Sequence, residues 1–439
     1  MNLPLRVGYE GVALLARGLA SIAPTSGNKL LETFAARRGV RARYAAFARA
    51  PGRPLLWMHA PSVGEGLQAR PVLELARERA RAWQLAYTYF SPSAERFAAG
   101  LNVDFRDVLP FDGTGDARAA LRALDPTALV FSKLDVWPTL AREASNHGVA
   151  LGLVSATLAP GSTRRRGIAA ALLRDAYGRL DRVGAISADD AERLVSLGVP
   201  ATRVSVTGDT RFDQVWARAA RADLTSALLA PLRSDRPTLV AGSTWPADEG
   251  PLLEAWSSLH EQHPEMRLII APHEPTPAHL EPIERWASST ELRCARLGSG
   301  EAAGADVVVV DRVGVLGDLY AIADIAYVGG GFHAAGLHSV LEPAAFGTPV
   351  IFGPRHANSR EAGLLLAAGA ATRVSDAPSL EVALGHWLEE PEARRSAGDA
   401  AREVVRAGLG AAERSYELVA SLMRQRTATR TAGSTRSRR

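Results

Sequence analysis

The chain has 439 residues, 47% of them hydrophobic and 22% charged, which supplies two packed cores and excludes an intrinsically disordered chain. Its one cysteine, Cys294, excludes an internal disulfide framework and a cysteine-rich zinc site, and fits a reducing compartment. The formal charge of +4 sits at one end: residues 424–439 hold six arginines and no acid, so the remainder carries about −2 and nucleic-acid binding by the folded body loses its compositional support.

At the N-terminus Val12, Leu15, Leu19 and Ile22 recur at helical spacing, with Arg6, Glu10, Arg17 and Ser21 opposite. Residues 1–40 therefore read as an amphipathic segment, either docked on its own domain or lying in a membrane interface. No run of apolar residues is long enough to span a bilayer, and Glu10 with no cleavage motif argues against a secretory signal.

From residue 54, short apolar runs alternate with helical stretches. Strands are expected at 55–60, 85–90, 128–132, 150–155, 183–187 and 204–208, then at 238–243, 267–272, 307–311, 325–330 and 349–353. Strands separated by helices imply parallel sheets covered on both faces, hence an α/β fold of two doubly wound domains. A charged, mostly helical stretch at 214–236 divides them into 41–215 and 216–423. Ligands of such sheets bind at the carboxyl ends of strands, so both domains are expected to offer loops to one cleft. The tail 424–439 reads as basic and disordered, leaning on anionic lipid or simply solvated.

The motifs lie at those strand ends. The run APSVGEG (60–66) puts Glu65 in a first helical turn, either complementing the helix dipole or acting as a general base. SKLDVWP (132–138) holds Lys133 and Asp135 at strand spacing, which predicts a shared face and either a site pair or a local ion pair. Lysine occurs only at 29 and 133 against 49 arginines, which points to a need for a compact ammonium at Lys133. Arg211, in GDTRFD (208–213), is a candidate cation for phosphate charge or an interdomain ion pair. GGGFHAAGLHSVLEP (329–343) brings glycines, a helix start, and Ser339 and Glu342 at capping-box spacing; Glu342 either caps the helix or binds ribose hydroxyls. His273 ends another strand, while His333, His338 and His356 are scattered among loops. No metal-ligand spacing, Walker A sequence or G-x-S-x-G elbow is present, and neither metal nor cofactor is expected.

Together WMHAPSVGEG, SKLDVWP, SATLAPGS, VTGDTRFD, AGSTWPADE, IIAPHEP, VGVLGDLYAIADIAYVGGG, GLHSVLEPAAFGTPVIFGP and Asn358 carry a resemblance over about residues 40–405. The sequence resembles the 3-deoxy-D-manno-octulosonic acid (Kdo) transferases of lipopolysaccharide synthesis, inverting enzymes of the two-Rossmann-domain GT-B type. The resemblance implies a lipid A precursor acceptor, a CMP-Kdo donor and an inner-membrane location on the cytoplasmic side, with no nucleic acid as partner. It implies Glu65 as general base, charge-stabilising roles near Lys133, Asp135 and Arg211, and CMP contacts from Pro272 and His273, from Gly314, Val315 and Leu316, and from Ser339, Val340, Leu341 and Glu342. Lys133 stands where many members carry an acid, and Arg211 where many carry lysine. Competing readings are a nucleotide-sugar epimerase of the same architecture and a non-catalytic CMP-sugar-binding membrane module.

Overall fold

The computed structural model describes residues 3–22 and 28–436; residues 23–27 of the expected N-terminal segment and 437–439 of the tail lie outside them. Two compact units divide the chain, Met1–Gln214 with Leu409–Arg439, and Val215–Gly408.

In the first unit the sheet comprises β1 (Leu55–His59), β2 (Gln84–Tyr89), β3 (Phe105–Val108), β4 (Ala128–Ser132), β5 (Ala150–Ala156), β6 (Arg182–Ala185) and β7 (Val204–Val206). Their order is β3-β2-β1-β4-β5-β6-β7, and every pairing is parallel. Every residue of β1, β2, β4 and β5 is buried, as expected for central strands covered on both faces. The chain runs outward from β1 through β2 to β3, then returns to place β4 on the other side of β1. Leu56 pairs with Leu85 on one side and Ala128 on the other.

The second unit repeats the plan with β8 (Thr238–Thr244), β9 (Arg267–Pro272), β10 (Cys294–Arg296), β11 (Val307–Val309), β12 (Ile325–Val328), β13 (Val350–Phe352) and β14 (Ala371–Arg373). The order is β10-β11-β9-β8-β12-β13-β14, again parallel, with the reversal between β8 and β12. All eleven expected strands form, so the expected α/β, doubly wound class holds. The three strands absent from the expectation, β3, β10 and β14, are all sheet edges. Each is three or four residues long and mixes exposed charge with few apolar residues, so no apolar run announces it.

Two boundaries differ from expectation. The second unit ends at Gly408 instead of 423, and the helix Ala411–Arg436 returns to the first unit. Its Leu422 and Val419 are fully buried in the first core. A Cβ at Gly152 on β5 would lie 2.7 Å from Leu422 Cδ1, so the glycine makes room for the helix. That same helix carries the basic tail through Arg436, where composition points to disorder.

The N-terminal helix α1 (Leu3–Ile22) is amphipathic, but it docks through its polar face. Tyr9 donates to Asp112 Oδ2 at 2.9 Å, and Glu10 accepts from the Thr114 amide at 3.0 Å and from Arg142 at 3.4 Å. Asp112 also accepts from the Thr139 and Leu140 amides, satisfying the start of the helix Pro138–Asn146. Val12, Leu14, Leu15 and Leu19 are left 52–71% exposed. No described helix is long and apolar enough to cross a membrane.

Leu422→Ala is expected to lower stability by about 2–5 kcal/mol, since the site is fully enclosed; urea unfolding of the two proteins measures it.

Candidate active site

In the first unit the chemistry-bearing residues gather at the carboxyl ends of β1 and β4, the two strands flanking the order reversal. After β1 the chain turns through Pro61 and Ser62 into α4 (Val63–Arg79). Ser62 occupies the N-cap with extended backbone, yet caps no amide with its side chain. Its hydroxyl instead donates to Glu65 Oε2. The other oxygen, Oε1, accepts from Lys133 Nζ at 3.0 Å. A Cβ at Gly66 would lie 2.4 Å from the Phe97 ring, so only glycine lets this turn pack so closely.

Lys133 reaches Glu65 because its backbone departs from the strand. β4 ends at Ser132, and Lys133 adopts φ +65°, a left-handed conformation costly for a side-chain-bearing residue. Its amide donates to the Val154 carbonyl at 2.9 Å, and Ser132 Oγ donates to the Glu65 carbonyl at 3.1 Å. The strand alternation expected for Lys133 and Asp135 is therefore broken. Asp135 pairs with Arg164 at 2.6 Å while Lys133 serves Glu65, so the two do not form one acid–base pair. Glu65 is 14% exposed and Lys133 42%, which puts the pair at the surface of the unit within reach of a ligand.

Arg211 lies in the first turn of the helix Thr210–Ala220 and folds back on Asp209, with Nε and Nη2 at 2.9 and 2.6 Å from Oδ2. Burial raises the Asp209 carboxyl, but Arg211 and the Gln68 amide outweigh it and leave the carboxyl below its ordinary value. Gln68 is on α4, and Thr210 donates to the Gln68 carbonyl at 2.7 Å. Arg211 is thus tied to the helix that carries Glu65, and its Asp209 ion pair lies within the first unit.

His59, in WMHAP, is a residue the motif reading passed over. It is fully buried at the end of β1 and accepts from Trp137 Nε1 on Nε2 at 2.9 Å, with Nδ1 3.0 Å from Thr88 Oγ1. Burial pushes the imidazole down to about 3, so it is neutral and an acceptor for the indole. The Trp137 ring also stacks on Phe90 at 4.9 Å. These contacts hold the loop that carries Lys133.

In the second unit the loops after β8 and β12 again flank the reversal. Asp248, buried in the first turn of the helix Pro246–Gln262, accepts from the Gly330 amide at 2.8 Å and the Phe332 amide at 3.0 Å. It clamps the glycine loop. A Cβ at Gly331 would meet the Gly353 nitrogen at 2.5 Å. Asn358 holds Leu337 through both main-chain groups at 3.0 and 2.9 Å.

Four rings from three loops stack here. Trp245 lies 4.4 Å from His333 and 4.7 Å from His273, and His273 lies 4.4 Å from His338. Trp245 Nε1 donates to His338 Nε2 at 3.1 Å, and burial, aided by His273, pushes His338 down to about 4. Of the histidines that look scattered in sequence, His333 and His338 thus converge with His273 on one aromatic group, whose flat faces suit stacking against a ring, while His356 packs edge-on against Phe352 instead. Pro272 ends β9, and the His273 amide donates to the Thr244 carbonyl at 2.9 Å.

Gly314, at φ +90°, offers its carbonyl to Arg218 at 3.3 Å, and Arg218 pairs with Asp318 at 3.0 Å. Val315 and Leu316 open the short helix that follows. The capping box expected for Ser339 and Glu342 does not form. The helix Leu341–Ala345 is capped by Val340 in a helical conformation without any side-chain bond. Burial raises the Glu342 carboxyl, opposed by Arg218. Among the described residues no group of three or more His, Cys, Asp and Glu is arranged to hold a metal.

The His59 shift sets a pH dependence. A base whose folded pKa lies near 3, against about 6.5 unfolded, contributes stability above 6.5 and loses it as pH falls toward 3. The protein is expected to be about 2 kcal/mol less stable at pH 5 than at pH 7 from this group, and His59→Gln to remove that share of the slope, as read by urea unfolding at both pH values.

The family model of 3-deoxy-D-manno-octulosonic-acid transferase (kdotransferase) matches residues 36–214, the stretch holding Glu65, Lys133 and Arg211. Among solved structures, the UDP-GlcNAc 2-epimerase from Neisseria meningitidis bound to UDP-GlcNAc aligns with TM-score 0.63 over 85% of this chain and 100% of its own, at 15% identity. That likeness concerns the fold, two Rossmann-like units of the GT-B type. The 3-deoxy-D-manno-octulosonic acid transferase of Haemophilus influenzae is 26% identical over 83% of this chain and 86% of its own. That of Bordetella pertussis is 32% identical over 88% of this chain and 91% of its own, and the chain accordingly belongs to the 3-deoxy-D-manno-octulosonic acid transferase family.

Proposed function

We propose that this glycosyltransferase moves Kdo from CMP-Kdo to a primary hydroxyl of the lipid A precursor (lipid IVA), with inversion at the anomeric carbon. The observation that carries the reading is the Glu65 carboxylate at the β1/β4 reversal, oriented by an ammonium on one oxygen and a hydroxyl on the other. In this reading Glu65 takes the proton of the acceptor hydroxyl. The oxygen then bonds to the anomeric carbon as its bond to the cytidylate phosphate breaks and the electron pair leaves with CMP. Lys133 holds the base in place and supplies a cation for the sugar acid's carboxylate. Arg211 stabilises the charge on departing CMP, and Asp135, paired with Arg164, adds to the charge set beside the Lys133 loop.

The donor falls to the second unit, where Pro272 and His273, Gly314 to Leu316, and Ser339 to Glu342 contact CMP and Glu342 serves the ribose hydroxyls. The acceptor is a lipid, and the exposed apolar stripe of α1 supports a peripheral seat at the cytoplasmic face of the inner membrane.

Incubation with CMP-Kdo and a tetraacylated precursor, with mass analysis of product, is expected to show Kdo addition. Conversion of nucleotide sugar without acceptor marks an epimerase, and donor binding without turnover a binding module; either result overturns the proposal. Glu65→Gln is expected to cost roughly 10²–10⁴-fold in transfer with CMP binding retained. Lys133→Arg keeps the charge but not the compact head, and is expected to cost about tenfold or more in kcat; full activity would remove the geometric role of the ammonium.

A further inference from the structure

A glycine loop that follows a parallel strand can cradle a phosphate when its amides point at the anion. In the second unit many of those amides are engaged elsewhere. Gly330 and Phe332 donate to Asp248, Leu337 donates to Asn358, and His338 donates to the Gly329 carbonyl at 3.1 Å. The His338 ring, pushed down to about 4 by burial, is neutral. The loop after β12 therefore offers a fixed shape and flat rings but little positive charge, and the phosphate of a nucleotide calls for a cation.

The strand ends supply one. In the loops that leave the carboxyl ends of β8–β14, lysine and arginine occur only as Arg312 and Arg355. Arg312 is committed, paired with Asp311 at 2.9 Å and donating to the Leu297 carbonyl. Arg355, in the loop after β13, is exposed, and its guanidinium has no carboxylate or hydrogen-bond partner among the described residues.

Its backbone, by contrast, is laced to the glycine loop. The Arg355 amide donates to the Gly331 carbonyl at 2.8 Å. Two residues earlier, Gly353 packs against Gly331 so closely that neither position has room for a Cβ. Three residues later, Asn358 holds both main-chain groups of Leu337, two residues before Ser339. An anchored backbone thus carries a free guanidinium at the ligand end of the sheet, beside a loop short of charge. A planar fork of donors in that position suits phosphate oxygens.

We infer that Arg355 is the residue with which the second unit binds the phosphate of the donor nucleotide. This rests on the donor reading of that unit. It separates holding the donor, the task of Arg355, from stabilising the charge that develops as CMP departs, the task given to Arg211.

The test is calorimetric titration of the full chain with CMP and with cytidine, which lacks the phosphate. The wild type is expected to bind CMP more tightly than cytidine. Arg355→Gln is expected to weaken CMP binding about tenfold or more and to leave cytidine binding unchanged, and Arg355→Lys to recover part of the loss. Unchanged CMP affinity in Arg355→Gln overturns the inference; if the KM for CMP-Kdo rises all the same, the guanidinium serves the sugar acid's carboxylate and the phosphate assignment falls. Equal losses for CMP and cytidine mark a disturbed loop and overturn it too, as does a wild type that binds both alike. A wild type that binds neither overturns the donor reading itself.

Discussion

The order reversal of a parallel sheet governs where chemistry can sit in this molecule. A chain that leaves β1 for β2 and β3, then returns to lay β4 on the opposite side, sends two loops in different directions from neighbouring strand ends. In the first unit those loops carry Glu65 and Lys133, and in the second they carry Trp245 and the glycine run after β12. Residues 68 positions apart in sequence thereby come within 3.0 Å.

Each pair of loops is then held by buried polar groups. His59 does this in the first unit, since its neutral ring accepts from Trp137 and so ties the Lys133 loop to β1. Asp248 does it in the second, gathering the glycine-loop amides. These are high-stakes contacts, because a buried polar atom left without its partner costs about 1–3 kcal/mol. The left-handed backbone at Lys133 is tolerated for the same reason: the surrounding bonds leave it no alternative.

The central strands were legible because burial on both faces demands uninterrupted apolar runs, as in ALVFS and RLIIAP, whose bounds match the observed strands. The edge strands β3, β10 and β14 lack that demand and so lack the signal. At the site, Glu65 was legible from the strand–turn–helix pattern, and lysine scarcity marked Lys133. The partner of each was not. Alternation assigned Asp135 to Lys133, but one residue with positive φ turned the lysine away and gave the aspartate to Arg164. The stack of Trp245 with three histidines joins loops from three strands, and no local spacing encodes such a meeting.

The C-terminal helix Ala411–Arg436 packs against β4, β5, β6 and α4, so the first unit is discontinuous along the chain. During synthesis the ribosome releases the whole of Val215–Gly408 before the segment that covers the first sheet. The unit that begins translation is therefore the last to be finished. Until then the apolar face around Gly152 stands open, and the nascent enzyme carries its greatest aggregation hazard with its second unit already complete.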